Sequence, residues 1–269
     1  MKWDREALLQ SLLFTPLHPV IAALQPGKFP ALEELNAQIH QNLITVQSGY
    51  QLKFVEQGTG LLAFEAQYEP RCYLTGEVQT RKDNLHDLLN ALVWLTYPKA
   101  KAAINARHFA ALTVQKLAQR SQRGAVRDTS TLLDESGVIV VYSDEKLAGL
   151  LQNFHWIELF WQQREQVKIS MDFYLFGHGL YEKALKPYIG MTGQGLLLAV
   201  EQAFFSWSVD DRRAHLDTLL ADYLANPQHC ICTRELSPVP LLGVPGWSPD
   251  NNCAAYYENT AYFRPGRRK

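Results

Sequence analysis

The chain has 269 residues, 47% of them hydrophobic, and its 26 basic and 27 acidic side chains leave a net charge of −1. That is enough apolar material for a large globular core, and the near-neutral balance supplies no general field to draw nucleic acid or an anionic membrane. No apolar run reaches the length of a membrane span, the first residues lack the apolar stretch of a secretion signal, and four cysteines are too few for a disulfide framework. The expected setting is a reducing cytoplasm, and the expected partner is a small molecule.

In chain order, Trp3–Phe14 reads as an amphipathic helix, stopped by the Thr15-Pro16 and His18-Pro19 pairs, because the residue before a proline is pushed toward extended backbone. Residues 31–42 form another helix. Gln51–Gln57 and Leu61–Phe64 alternate and carry β-formers, so they read as a hairpin around Gly58-Thr59-Gly60. Arg71–Val78 reads as a further strand or an extended approach to the helix that follows.

That helix, Asp83–Tyr97, separates into two faces at 3.6 residues per turn. Leu85, Leu88, Leu89, Leu92 and Leu95 fall on one side. Asp83, His86, Asp87, Asn90, Trp94 and Tyr97 fall within an arc of roughly 100° opposite them. A solvated face would carry long charged side chains; this one carries short residues able to bind a metal, a proton or a substrate. Pro98 breaks the pattern and suits the first turn of a second helix, so Pro98–Gln119 completes an antiparallel helical hairpin. Lys101, Asn105 and His108 share a stripe on it. Counting outward from the turn places Asn105 near Asn90 and His108 level with His86.

Farther on, four cap-forming residues in Arg127–Gly137 predict one short helical turn containing Asp128. Val138–Tyr142 is an all-apolar strand. Ser143-Asp144 caps a helix through Leu151, and His155–Gln163 continues the helical content. Val167–Phe176 has the strongest strand character in the chain, and it runs into Gly177-His178-Gly179 and a short helix. His178 and Glu182 lie four apart, a spacing suited to a shared metal or a His–carboxylate bond. Gly190, Gly193 and Gly195 read as a turn before an apolar helix at Leu196–Phe205, and Asp210–Leu224 as a charged amphipathic helix. His229-Cys230-Ile231-Cys232 lacks the spaced cysteine pairs of a structural zinc site. From Ser237 onward the chain is too rich in proline for a helix and too apolar for disorder. It is expected as an extended arm, turned at Pro245-Gly246, packed through Leu241, Val244 and Trp247, and ending in the basic tail Arg264, Arg267, Arg268 and Lys269.

These elements predict an α+β fold. A helical majority, with the hairpin at its centre, packs on a small, mainly antiparallel sheet within a single domain. The candidate site gathers His86, Asp87, Asn90, Asn105, His108, Asp128, His178 and Glu182, with His86, His108 and His178 as candidate metal ligands. Imidazoles with a carboxylate suit zinc, manganese or iron. A bound metal would generate hydroxide near neutral pH, with Glu182 or Asp134 as general base, so a hydrolase is the leading expectation. The rival expectation is a non-enzymatic binding or assembly protein, in which the polar faces form a packing network.

Four blocks, HDLLNALVWLTYPKAKAAINARH, RDTSTLLDESGVIVV, FGHGLYEKALKPYIGMTGQ and PVPLLGVPGW with YFRPGR after it, resemble the bacterial domain of unknown function 3025 family in that family's order, over about residues 30 to 266. The resemblance implies a single-domain bacterial protein. It brings no activity with it.

Overall fold

The computed structural model describes residues 3–58, 60, 63–118 and 124–266. Asp4 caps α1 (Arg5–Gln10) by accepting from the Ala7 amide. The helix is shorter than predicted: Leu12–Leu17 tightens into a 3-10 segment that takes in Pro16, and α2 (His18–Ala22) follows with Pro19 in its first turn. After α3 (Leu32–Asn42) comes strand β1 (Lys53–Glu56). It pairs in parallel with β2 (Glu77–Thr80), and helix α4 (Tyr68–Thr75) makes the crossover. The expected second hairpin strand begins at Leu61 and Leu62, which lie outside the described residues, and continues into a 3-10 turn at Phe64–Ala66.

The central helices stand as the proline signal predicts. Asn84 caps α5 (Leu85–Thr96), Tyr97 breaks the helical backbone, and Pro98 opens α6 (Pro98–Leu117). Leu88 and Leu92 are fully buried, and so are Trp94 and Tyr97 from the opposite face. The amide groups that begin α6 have no intrahelical acceptors. Asp217 supplies them, accepting from Lys99 N at 3.1 Å and Ala100 N at 2.9 Å.

Helix α7 (Ala125–Ser136) replaces the short turn expected there. Its hydroxyls do not cap; Thr129 and Ser130 donate to the carbonyls of Ala125 and Val126 one turn back, a bond that lets such residues sit inside a helix. Strand β3 (Gly137–Tyr142) follows without a loop, then α8 (Glu145–Gln152), which Asp144 caps. The segment predicted as one long strand divides into α9 (Arg164–Ser170) and β4 (Met171–Leu175). Val167 and Ser170 are buried from the helix, so tertiary packing overrides the β preference of Val167 and Ile169. After α10 (His178–Ala184) comes β5 (Thr192–Ala199), where an apolar helix was expected. A short unbroken apolar run does not distinguish a buried strand from a helix. Gly193 and Gly195 serve this strand and make no turn: a β-carbon would lie 2.4 Å from Val138 Cγ2 at the first and 2.7 Å from Val239 Cγ2 at the second.

Helix α11 (Val209–Ala225) packs along α6, and Arg107 of α6 donates to the carbonyls of Leu224 and Asn226 at its end. The arm then supplies β6 (Ser237–Pro240), which pairs with β5. The four-stranded sheet runs β4-β3-β5-β6, with β3 and β5 parallel and the outer pairs antiparallel. Its prolines sit on an edge strand, where a missing amide does least harm. Gly246 turns the arm with a positive φ, Leu241 and Val244 are buried, and Trp247 is partly covered. The class is α+β, with helices in the majority. Among the described residues, no helix is long and apolar enough to cross a membrane.

Candidate functional site

Five helices, α4, α5, α6, α7 and α10, meet at one cavity of about 230 Å³, lined by Tyr68, Glu69, His86, Asn90, His108, Thr131, Asp134, Glu135 and His178. The meeting depends on glycine. Gly177 lies so close to the α7–β3 junction that a β-carbon would fall 2.4 Å from Ser136 N and 2.5 Å from Gly137 N. At Gly179 the β-carbon would fall 2.5 Å from Glu135 Oε2. The Gly-His-Gly sequence therefore lets α10 approach the end of α7, with His178 between the two glycines and beside Glu135.

His86 and His178 stand edge to face with ring centroids 4.7 Å apart. Each has a carboxylate near Nδ1. Glu182 Oε2 lies 2.9 Å from that atom of His86, and Asp134 Oδ2 lies 3.6 Å from that atom of His178. On the other side of the His178 ring, Nε2 lies 3.5 Å from Glu135 Oε1. One ligand atom from each of His86, Glu135 and His178 falls within 4.8 Å of the others.

Across the cavity, Lys101 is buried. Its ammonium binds Asp134 Oδ1 and donates to Asn90 Oδ1 at 2.9 Å, while Asn90 Nδ2 donates to the Tyr68 hydroxyl at 2.7 Å. Asn105 Nδ2 donates to Glu69 Oε2 at 2.7 Å and to its backbone carbonyl at 3.0 Å. His108 is 4% exposed, and among the described residues its Nδ1 has no hydrogen-bond partner.

These surroundings move the carboxylates in opposite directions. Burial raises Glu69 above the ordinary carboxylate range, and His108 and the Asn105 bond only partly offset it. Burial also pushes Asp134 upward, but Lys101 and His178 outweigh it and leave the group lowered. Glu135 is lowered by its contact with His178, against the effect of burial. Burial holds the Tyr68 hydroxyl and the Cys72 thiol well above their usual values.

Of the residues singled out from the sequence, His86, Asn90, His108 and His178 line the cavity. Asn105 stands behind Glu69, and Glu182 stands behind His86; it does not pair with His178 as the four-residue spacing suggested. Asp87 turns the other way, accepting from the Arg81 amide and from Nε and Nη2 of its guanidinium, which lower it against the upward pull of burial. Asp128 is exposed. It lies two turns before Glu135, about 10 Å along the helix axis. His108 shares the cavity but not the three-residue cluster, where Glu135 takes the third place. Glu69, Tyr68 and Glu135 were missed. Glu135 had a signal, since it directly precedes the Ser136-Gly137 stop, but a helix read as a single turn hid its face.

A protein-family model described as a protein of unknown function, DUF3025, matches residues 52–267. The chain belongs to the DUF3025 family. No curated protein and no solved structure matches it. Every residue lining the cavity of this DUF3025 chain falls inside the matched span.

Proposed function

We propose that the cavity binds a divalent metal through His86, Glu135 and His178 and uses it in hydrolysis. The observation that carries this reading is the pair of imidazoles, each with a carboxylate near Nδ1, beside a third carboxylate. A carboxylate behind a histidine fixes its tautomer and raises its basicity as a ligand. Glu182 engages Nδ1 of His86 and leaves Nε2 of that ring as its natural ligand atom, while Nδ1 of His178 lies near Asp134 without a hydrogen bond among the described residues. Ligand bonds of about 2.0–2.2 Å require only a small closure of the three groups from their present separations. Three protein ligands leave a coordination position for water, whose pKa a metal lowers to about 7. Zinc, manganese and iron all suit two imidazoles and a carboxylate. With its imidazoles neutral, the cavity lining carries the carboxylates of Glu69, Asp134 and Glu135 and, among the described residues, no Lys or Arg, with Lys101 bound to Asp134 from behind, a balance that favours a cation.

A packing network accounts for Asn90, whose amide is satisfied at both atoms. It does not account for His108 and His178, whose buried Nδ1 atoms make no hydrogen bond among the described residues, since a network built for packing closes on itself. Metal analysis of the purified protein, with calorimetric titration of zinc and manganese, tests the reading. His178→Ala and Glu135→Gln should each weaken binding at least about 10- to 100-fold while the fold stays cooperative. Wild-type affinity in both variants would refute it.

A further inference from the structure

We infer that Glu69 is the proton acceptor of this site: it takes the proton of the metal-bound water and later delivers it to the leaving group. The inference rests on the metal reading above and assigns a role that the metal ligands leave open.

Three carboxylates line the cavity and a fourth stands behind it, and two of these four are already committed to a histidine by position. Glu182 is bonded to His86 Nδ1, and Asp134 is paired with Lys101 and faces His178 Nδ1. Glu135 belongs to the ligand cluster. Glu69 alone lines the cavity outside these pairings. Its carboxylate is fixed at one oxygen, where Asn105 Nδ2 donates to Oε2; among the described residues Oε1 takes no hydrogen bond. One fixed oxygen and one free oxygen are what a proton acceptor needs, because geometry is the first requirement of a general base.

The groups that act on Glu69 agree with this role. His108 and Lys101 act on it from α6, Asp134 from α7, and Tyr68 and Cys72 share its helix. Burial raises the carboxyl above its ordinary range, and a base near the operating pH transfers protons most effectively. The step balances. A metal held by His86, Glu135 and His178 would supply a water of lowered pKa; Glu69 would take one proton from it as its oxygen bonds to the electrophilic centre of the substrate. The bond to the leaving group then breaks, and the proton on Glu69 passes to the departing atom. The resting pair is hydroxide with protonated Glu69, and Asn105 is a positioning residue.

Cobalt(II) loaded into the full-length protein reports water ionisation through its d–d absorption, without any substrate. Glu69→Gln should bind cobalt as wild type does and keep the spectral midpoint, because glutamine is the uncharged counterpart of protonated Glu69. Calorimetry in buffers of different ionisation enthalpy, above that midpoint, should show about one more proton released per cobalt than in wild type, because the proton has lost its acceptor. A bystander carboxylate that stays ionised gives a lowered midpoint instead, since loss of a nearby negative charge favours hydroxide. Should Glu69→Gln fail to fold by circular dichroism, Glu69→Asp has a shorter reach and should raise the proton count by a smaller amount. A shifted midpoint, or a proton count equal to wild type, in a variant that binds cobalt normally overturns the assignment of Glu69 alone. Failure of the wild type to bind cobalt overturns the metal centre and this inference together.

Discussion

Replacing Lys101 by Met removes the buried ammonium that binds Asp134 and Asn90 of the cavity lining while keeping the length of the side chain. Lys101 keeps 4% of its side chain exposed and Asp134 keeps 15%, so the variant leaves a largely covered carboxylate without its cation. Breaking a buried pair costs about 3–5 kcal/mol; the residual exposure of Asp134 places the expected loss near 3 kcal/mol. Against a total stability of roughly 5–15 kcal/mol, that is a large fraction. The pH dependence should also reverse. In the wild type the folded-state pKa of Asp134 is depressed, so its contribution is present above the unfolded value of about 3.9 and is lost as pH falls through the folded value. Without Lys101 burial dominates, the folded value rises above the unfolded one, and the group destabilises the fold as pH rises through that interval. Urea unfolding between pH 3 and 8, with Asp134→Asn added to each background, measures both effects. Asp134→Asn should cost stability in the wild type and restore part of it in Lys101→Met. A loss below about 1 kcal/mol, within the range of surface pairs, or no relief from Asp134→Asn, would refute the reasoning.

Leu92→Ala, at a fully buried position of α5, should cost about 2–5 kcal/mol by equilibrium unfolding; a loss under about 0.5 kcal/mol would place it outside the core. The two glycines flanking His178 should fail differently. Gly177→Ala meets backbone atoms of Ser136, Glu135 and Gly137, so its cost should reach or exceed the roughly 3 kcal/mol usual for overpacking. Gly179→Ala meets the Glu135 side chain first, and calorimetry with zinc should show weakened binding with a smaller loss of melting temperature.

The sequence made the break between α5 and α6 legible because proline and an asparagine cap are local signals, and Tyr97 marks the interruption they predict. It placed His86 and His178 in one site because both follow from features short enough to read, a polar helix face and a Gly-His-Gly junction. Glu69 was not legible. Its approach to the site comes from α4 crossing between β1 and β2, and a parallel pairing leaves no turn signature. Asp87 misled for a related reason: helical angle shows which side a residue faces, but Arg81 claims this one from just outside the helix. The strand at Thr192–Ala199 was hidden because its leucines are apolar on both faces although burial nearly alternates along it, and a short apolar run fits helix and strand alike.

Helix α11 contributes no side chain to the cavity, yet the cavity depends on it. Asp217 receives the first amides of α6, and Arg107 on α6 closes the carboxyl end of α11, so each helix satisfies backbone groups that the other would leave bare if it melted. Opening either helix alone exposes polar groups of both, and the pair should behave as one cooperative unit in hydrogen exchange. Lys101, Asn105 and His108 ride on α6. Truncation of the chain before Val209 would therefore loosen the wall of a site whose own residues all remain.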